Sequence, residues 1–236
     1  MSQHPEPPGD PVSLATKAME QASSSIQTFK PLNKIHEHVQ GYHFYRRAKT
    51  KDAELKAHHY CSHLKEQVRQ CVIYDSDADD ARLIGVEYII SADLFDKLPD
   101  DEKLFWHSHV MEVKSGVLIC PLAAGVPKTI GDNAEMKYME ELIDTYGKTW
   151  HFWQVDRGDE LPFGPPKLMM SIVEESQVDP KLIEARDKHY KISTAEKKKQ
   201  REHLQPKRKV DPKADHWIHR DDGKTYRPEM VWGPKK

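Results

Sequence analysis

A single carboxylate sits in the middle of the most apolar stretch of this 236-residue chain. Leu83-Ile84-Gly85-Val86-Glu87-Tyr88-Ile89-Ile90 is rich in branched residues and bounded by turn signals, so it reads as a strand. A carboxylate buried in such a strand is costly unless something pairs with it. A metal ion, an arginine or a histidine would each serve. Histidine is the residue this sequence holds in excess, at 14.

The histidines are grouped. In Ala57-His58-His59-Tyr60-Cys61-Ser62-His63, a strand places His59, Cys61 and His63 on one face and His58, Tyr60 and Ser62 on the other. Four-residue spacing keeps His59 and His63 together on a helix as well. In Trp106-His107-Ser108-His109-Val110-Met111-Glu112, His107 and His109 share a face if the backbone is extended, whereas His109 and Glu112 share one if it is helical. His151 lies within the aromatic run Trp150-His151-Phe152-Trp153. Imidazole and carboxylate suit Zn, Fe, Ni and Cu, and two or three histidines with one acid leave a coordination position open for chemistry. The candidate metal ligands are therefore His59, His63, Glu87, His107, His109 and Glu112, with His58, Cys61 and His151 as secondary candidates. The cofactor expected there is one divalent metal, Zn or Fe, in an oxygenase or hydrolase acting on a small-molecule ligand. The plainer reading is a set of hydrogen-bonded histidines bridging strands, in a scaffold that binds protein partners. Cys61 beside His59 or His63 has the setting of a nucleophile, but a small strand residue is the commoner role. No H-E-x-x-H, phosphate loop, nucleophile elbow, kinase signature or dinucleotide fingerprint is present.

The remaining pattern predicts an α+β domain. Ser13 caps a helix running to about Phe29, with Leu14, Ala18, Ala22, Ile26 and Phe29 at helical spacing. Strands are expected at 43–45, 55–64, 70–74, 83–90, 117–120, 150–155 and 168–173. Short helices are expected at 91–98 and 100–106, and longer ones at 133–146, stopped by Gly147, and at 181–190. The expected architecture is a single domain over 13–194 with a mostly antiparallel or mixed sheet, flanked by disordered tails. Residues 1–12 are Pro-rich. Residues 195–236 are basic and partly extended, with a net +6 that leaves −8 on the rest. Such basic runs are usually solvated, and otherwise suit an anionic surface. With an overall charge of −2, nucleic acid is not an expected partner. Cys61, Cys71 and Cys120 make no disulfide framework, which favours a reducing, intracellular setting. No run of about 18 apolar residues offers a transmembrane helix.

Several strings of this sequence occur together in one known family. His58-His59-Tyr60-Cys61-Ser62-His63-Leu64, Arg69-Gln70-Cys71-Val72-Ile73-Tyr74-Asp75 and Ala81-Arg82-Leu83-Ile84-Gly85-Val86-Glu87-Tyr88 resemble the oil body-associated protein family, the DUF1264 type. The likeness continues through Trp106-His107-Ser108-His109, Glu112 to Gly116, Tyr146 to Thr149 and His151 to Asp159, and covers about residues 30–175. It implies association with the phospholipid-coated droplets of seeds, and a link to their size and stability, although fungal and bacterial members need not share that role. It brings no catalytic residue set. The implied location is the cytoplasm or the lipid-droplet surface, with peripheral contact. Trp217, Ile218 and Trp232 among basic residues have the composition of a surface anchor, though prolines break any helical stripe there.

Overall fold

A computed structural model describes residues 7–45, 54–215 and 217. Seven strands form one antiparallel sheet: β1 (Glu37–Tyr45), β2 (Glu54–Lys65), β3 (Val68–Tyr74), β4 (Leu83–Ser91), β5 (His107–Ser108), β6 (Thr145–His151) and β7 (Lys167–Met170). The order is β4-β3-β2-β1-β7-β6-β5, and a further β4–β6 pairing joins the two ends. Six strands thus close into a barrel, which leaves no open edge among them. Gly147 and Tyr146 of β6 pair with Ile89 and Ile90 of β4 on one side and with His107 and Ser108 of β5 on the other. The expectation of an α+β domain with a mostly antiparallel sheet is met; the closure was not foreseen.

Among the described residues the helices are α1 (Leu14–Ile26), α2 (Ala92–Phe95), α3 (Asp100–Lys103), α4 (Val110–Lys114), α5 (Lys128–Leu142), α6 (Pro180–Tyr190) and α7 (Thr194–Gln200). Ser13 caps α1 as its sequence predicts, accepting from the Thr16 amide. Two boundaries differ from the sequence reading. The helix expected from Asn133 starts five residues earlier behind Pro127 and ends at Leu142, and Gly147 lies inside a strand. The strand expected at 117–120 is reduced to one bridge, Gln40 to Ile119. Its neighbours are held instead by Arg186 and Arg201, which donate to the carbonyls of Val117 and Leu118.

Two further expectations are corrected. Cys61 and Cys71 are joined by a disulfide with an S–S distance of 2.01 Å. The β2–β3 register sets them directly opposite, both buried, and only Cys120 is a free thiol. The C-terminal segment, expected to be basic and partly extended, begins inside a helix, and its described part packs on the domain. Helix α7 buries Lys197 and the loop behind it buries Arg201, and both donate to the buried carboxylate of Glu135. Leu204 and Ala214 enter the core. Trp217, a surface-anchor candidate by composition, is only 7% exposed and packs with Tyr42, Phe44 and Met170. Ile218 and Trp232 lie outside the described residues, as does the Pro-rich start before residue 7. The described basic side chains of this segment mostly face acids of the domain, Lys198 at Glu175 and Arg208 at Asp93 and Asp96. Within the described residues, much of the basic charge of this segment is thus paired inside the molecule.

Candidate metal centre

Strand alternation brings Glu87 of β4 and His59 of β2 to the inner face of the barrel. Across β2, β3 and β4 the aligned positions are His59, Ile73 and Gly85, then Cys61, Cys71 and Glu87. Glu87 thus lies beside the disulfide, one alternation from His59. Its Oε2 is 3.1 Å from His59 Nε2. On its other side Oε1 is 3.2 Å from His107 Nε2 and 3.5 Å from His109 Nε2. The backbone resolves the choice left open at 107–112 by splitting it: His107 is in β5, and His109 is the N-cap position of α4. Both imidazoles reach one oxygen as a result. His43 of β1 extends the array, with its Nε2 3.1 Å from His59 Nε2 and its Nδ1 3.0 Å from His151 Nε2. Glu87 and all five histidines are at most 5% exposed.

Electrostatics follow from this crowding. Burial alone pushes the Glu87 carboxyl up, but His107, His109 and His59 outweigh it and hold it well below the usual range. Burial pushes His43 well down, reinforced by His59 and His151. Burial, with His59, lowers His151 to about 3. Burial works to lower His107, yet Glu87 prevails and raises it.

A cavity of about 20 Å³ adjoins the cluster, lined by Glu87, His43, His59 and His109 together with Glu112, Cys61 and Tyr138. That volume admits one water or one ion. Glu112 is 3% exposed, and among the described residues it has no ion pair with lysine or arginine; nor does Glu87. Gly147 closes the site from β6. A Cβ there would lie 2.0 Å from Glu87 Oε1 and 2.7 Å from His107 Nε2, so the carboxylate and imidazole occupy the space of its missing side chain.

Of the six candidate ligands, His59, Glu87, His107 and His109 converge, and Glu112 lines the same cavity. His63 does not join them. It stacks on His36 and lies 3.6 Å from Glu37, half-exposed at the end of the hairpin. Arg69 Nε donates to His63 Nε2 over 2.7 Å. That bond occupies one ring lone pair and leaves the Nδ1 proton for His36 or Glu37, so this outer group is a hydrogen-bond chain. Among the secondary candidates, His58 points to the opposite face of β2, with Nδ1 3.1 Å from His38 Nε2. Cys61 is consumed in the disulfide. His151 stands behind His43. His43 itself escaped the sequence reading as a site residue. The signal was its place in alternation with Val39 and Gly41, which only the pairing with β2 makes visible.

The match to known proteins is broad. Residues 29–205 fit the family model described as Protein of unknown function (DUF1264). Oil body-associated protein 1A of Zea mays is 44% identical over 90% of this chain and 86% of its own length. Oil body-associated protein 1B of Arabidopsis thaliana is also 44% identical, over 80% and 75%. The chain belongs to the oil body-associated protein (DUF1264) family. Oil body-associated protein 2A of Zea mays is 39% identical over 92% of this chain and 84% of its own length. No solved structure matches the chain. The DUF1264 region ends at 205, past α7, in keeping with the burial of Lys197, Arg201 and Leu204. Among the described residues no helix is long and apolar enough to cross a membrane.

Proposed function

We propose that this chain is a peripheral protein of the oil-body surface, in an intracellular setting, and that α1 makes the lipid contact. The observation carrying the proposal is that α1 has an apolar face that none of the described residues buries. None of its 13 residues is buried, and Leu14, Met19 and Ile26 are 85%, 70% and 83% exposed. At 100° per residue, Leu14, Ala15, Ala18, Met19, Ala22 and Ile26 fall within one arc of about 140°, whose single polar residue is Ser25. The opposite arc holds Thr16, Lys17, Glu20, Gln21, Ser23 and Ser24, with one charge of each sign. A helix of this kind lies in an interface with its apolar face in the acyl boundary. Having no net charge, it gains nothing from anionic headgroups and relies on apolar burial alone. The names of the relatives, at 35–44% identity, support the same surface. Trp217 itself is a core residue and is not available as a surface anchor.

The test is flotation of the full chain with triacylglycerol droplets coated in phosphatidylcholine, a neutral lipid. The chain is expected to rise with the droplets. A Met19→Asp, Ile26→Asp double variant is expected to stay in the aqueous layer with an unchanged circular-dichroism melt, because α1 contributes nothing to the core. Equal flotation by the variant rules out α1. No flotation by the unmodified chain rules out direct lipid contact. Truncation at 194 is unsuitable for this purpose, since it would strip Arg201, Leu204 and Trp217 from the barrel.

A further inference from the structure

We infer that the barrel holds one divalent transition-metal ion, ligated by Glu87, His107 and His109, with His59 and His43 adjoining. The inference is independent of lipid contact. It starts from where ring protons must sit. Thr145 Oγ1 donates to the Leu142 carbonyl at 2.7 Å, so toward His109 Nδ1, 2.8 Å away, it can only accept. His109 therefore carries a proton on Nδ1, and in the neutral ring the Nε2 lone pair faces Glu87. The Val39 carbonyl likewise only accepts, so His59 Nδ1, 3.3 Å away, is the donor there. The His59 Nε2 lone pair then faces both Glu87 and His43. This is the arrangement of metal-bound imidazoles, whose far N–H is held by an oxygen acceptor while the near nitrogen is bare.

Without a cation, several buried polar atoms of the centre go unmatched. Glu87 Oε1 and both ring nitrogens of His107 are buried and complete no hydrogen bond, although Oε1 and Nε2 are only 3.2 Å apart. Two buried carboxylates, Glu87 and Glu112, share the cavity with no lysine or arginine paired to either among the described residues. A doubly charged ion balances them. The spacing also agrees. Ligands about 2.1 Å from one ion stand about 3.0–3.4 Å apart in octahedral or tetrahedral geometry. Glu87 Oε1 is 3.2 Å from His107 Nε2 and 3.5 Å from His109 Nε2, and the three ligand atoms lie within 4.8 Å of one another. The donor set of several imidazoles and one carboxylate selects the Zn2+ and Fe2+ class over Mg2+ or Ca2+.

Elemental analysis of the full chain, purified without an affinity tag and again after incubation with Zn2+, Fe2+ or Co2+ and desalting, is the test. The expected result is about one ion per chain with at least one of the three metals, and Co2+ should give visible d–d bands. Glu87→Gln is expected to abolish retention, while His63→Ala leaves it intact. Thr145→Val keeps every ligand but frees the His109 ring, and is expected to weaken binding by about 10- to 100-fold. It serves if Glu87→Gln does not fold. Less than one ion per five folded chains with all three metals overturns the proposal. So does a folded Glu87→Gln protein that retains metal as the unmodified chain does, or a folded Thr145→Val protein with unaltered affinity. Two ions per chain would overturn the single-ion assignment.

Discussion

Gly147 shows how one residue can be misread from sequence and yet be central to the site. After a helical pattern it resembles a helix stop. In the barrel it lies mid-strand, where β4, β5 and β6 meet and where Glu87 and His107 fill the space beside its Cα. Adding a methyl group there forces the carboxylate or the imidazole away. Overpacking of this kind costs about 1–3 kcal/mol. Gly147→Ala is therefore expected to lower the urea midpoint, and in metal-binding assays to weaken retention along with it. An unchanged midpoint would show that Glu87 and His107 do not occupy this space. Glu87 itself was legible, because a carboxylate in an apolar strand demands a partner whatever the fold. His107 and His109 were legible as residues and not as a pair, since their joint reach depends on the strand-to-helix switch between them. His63 was over-read. Alternation put it on the face of His59, but at the hairpin end Arg69 and Glu37 claim it first.

At the scale of elements, β2 and β3 were recognisable from composition, but their register was not. Register turns Cys61 and Cys71 from two unrelated thiols into a directly opposed pair. Closing a loop across a separation of 10 residues restricts the unfolded chain and is worth about 2–3 kcal/mol on loop entropy. The expected thiol count in guanidinium is one without reductant, from Cys120, and three after reduction. Three thiols in protein purified under air without reductant would mean the bridge does not form. Reduction is expected to lower the thermal midpoint while leaving the barrel pairing in place. Helix α1 gives the converse lesson. Its cap and span were readable from Ser13 and the apolar spacing, but nothing local indicates that its apolar face is left without a neighbour. Whether an amphipathic stripe is covered depends on the tertiary fold, because helices that pack inwards show the same pattern.

For the molecule as a whole, the sequence hides the barrel because closure is a property of β4 meeting β6, 54 or more residues apart, and no local signal marks it. It likewise hides the C-terminal strap, whose lysines and arginines look solvated until Glu135 is found buried beneath Lys197 and Arg201. Histidine burial has a consequence at this scale, because several imidazoles must be neutral for the fold to hold. Burial lowers His38 to about 4 despite the pull of Asp77, and burial together with His38 and Lys56 lowers His58 to about 3. Both values lie below the ordinary 6.5, so the unfolded chain takes up protons first as pH falls. Their contribution is complete above about pH 6.5 and is lost as pH drops toward 4 and then 3. His107 runs the other way: raised by Glu87, it favours the fold below 6.5 and loses that benefit as pH rises. With His43 and His151 also lowered, the depressed histidines outnumber the raised one. Thermal unfolding at pH 5.5 is expected at a lower temperature than at pH 7.5, and metal removal by chelation at pH 7.5 should leave the slope contributed by His38 and His58 in place, since neither touches Glu87. A melting temperature that does not change between pH 7.5 and 5.5, with metal absent, would mean that His38 and His58 titrate freely and that the β1–β2 face carrying them is open to water.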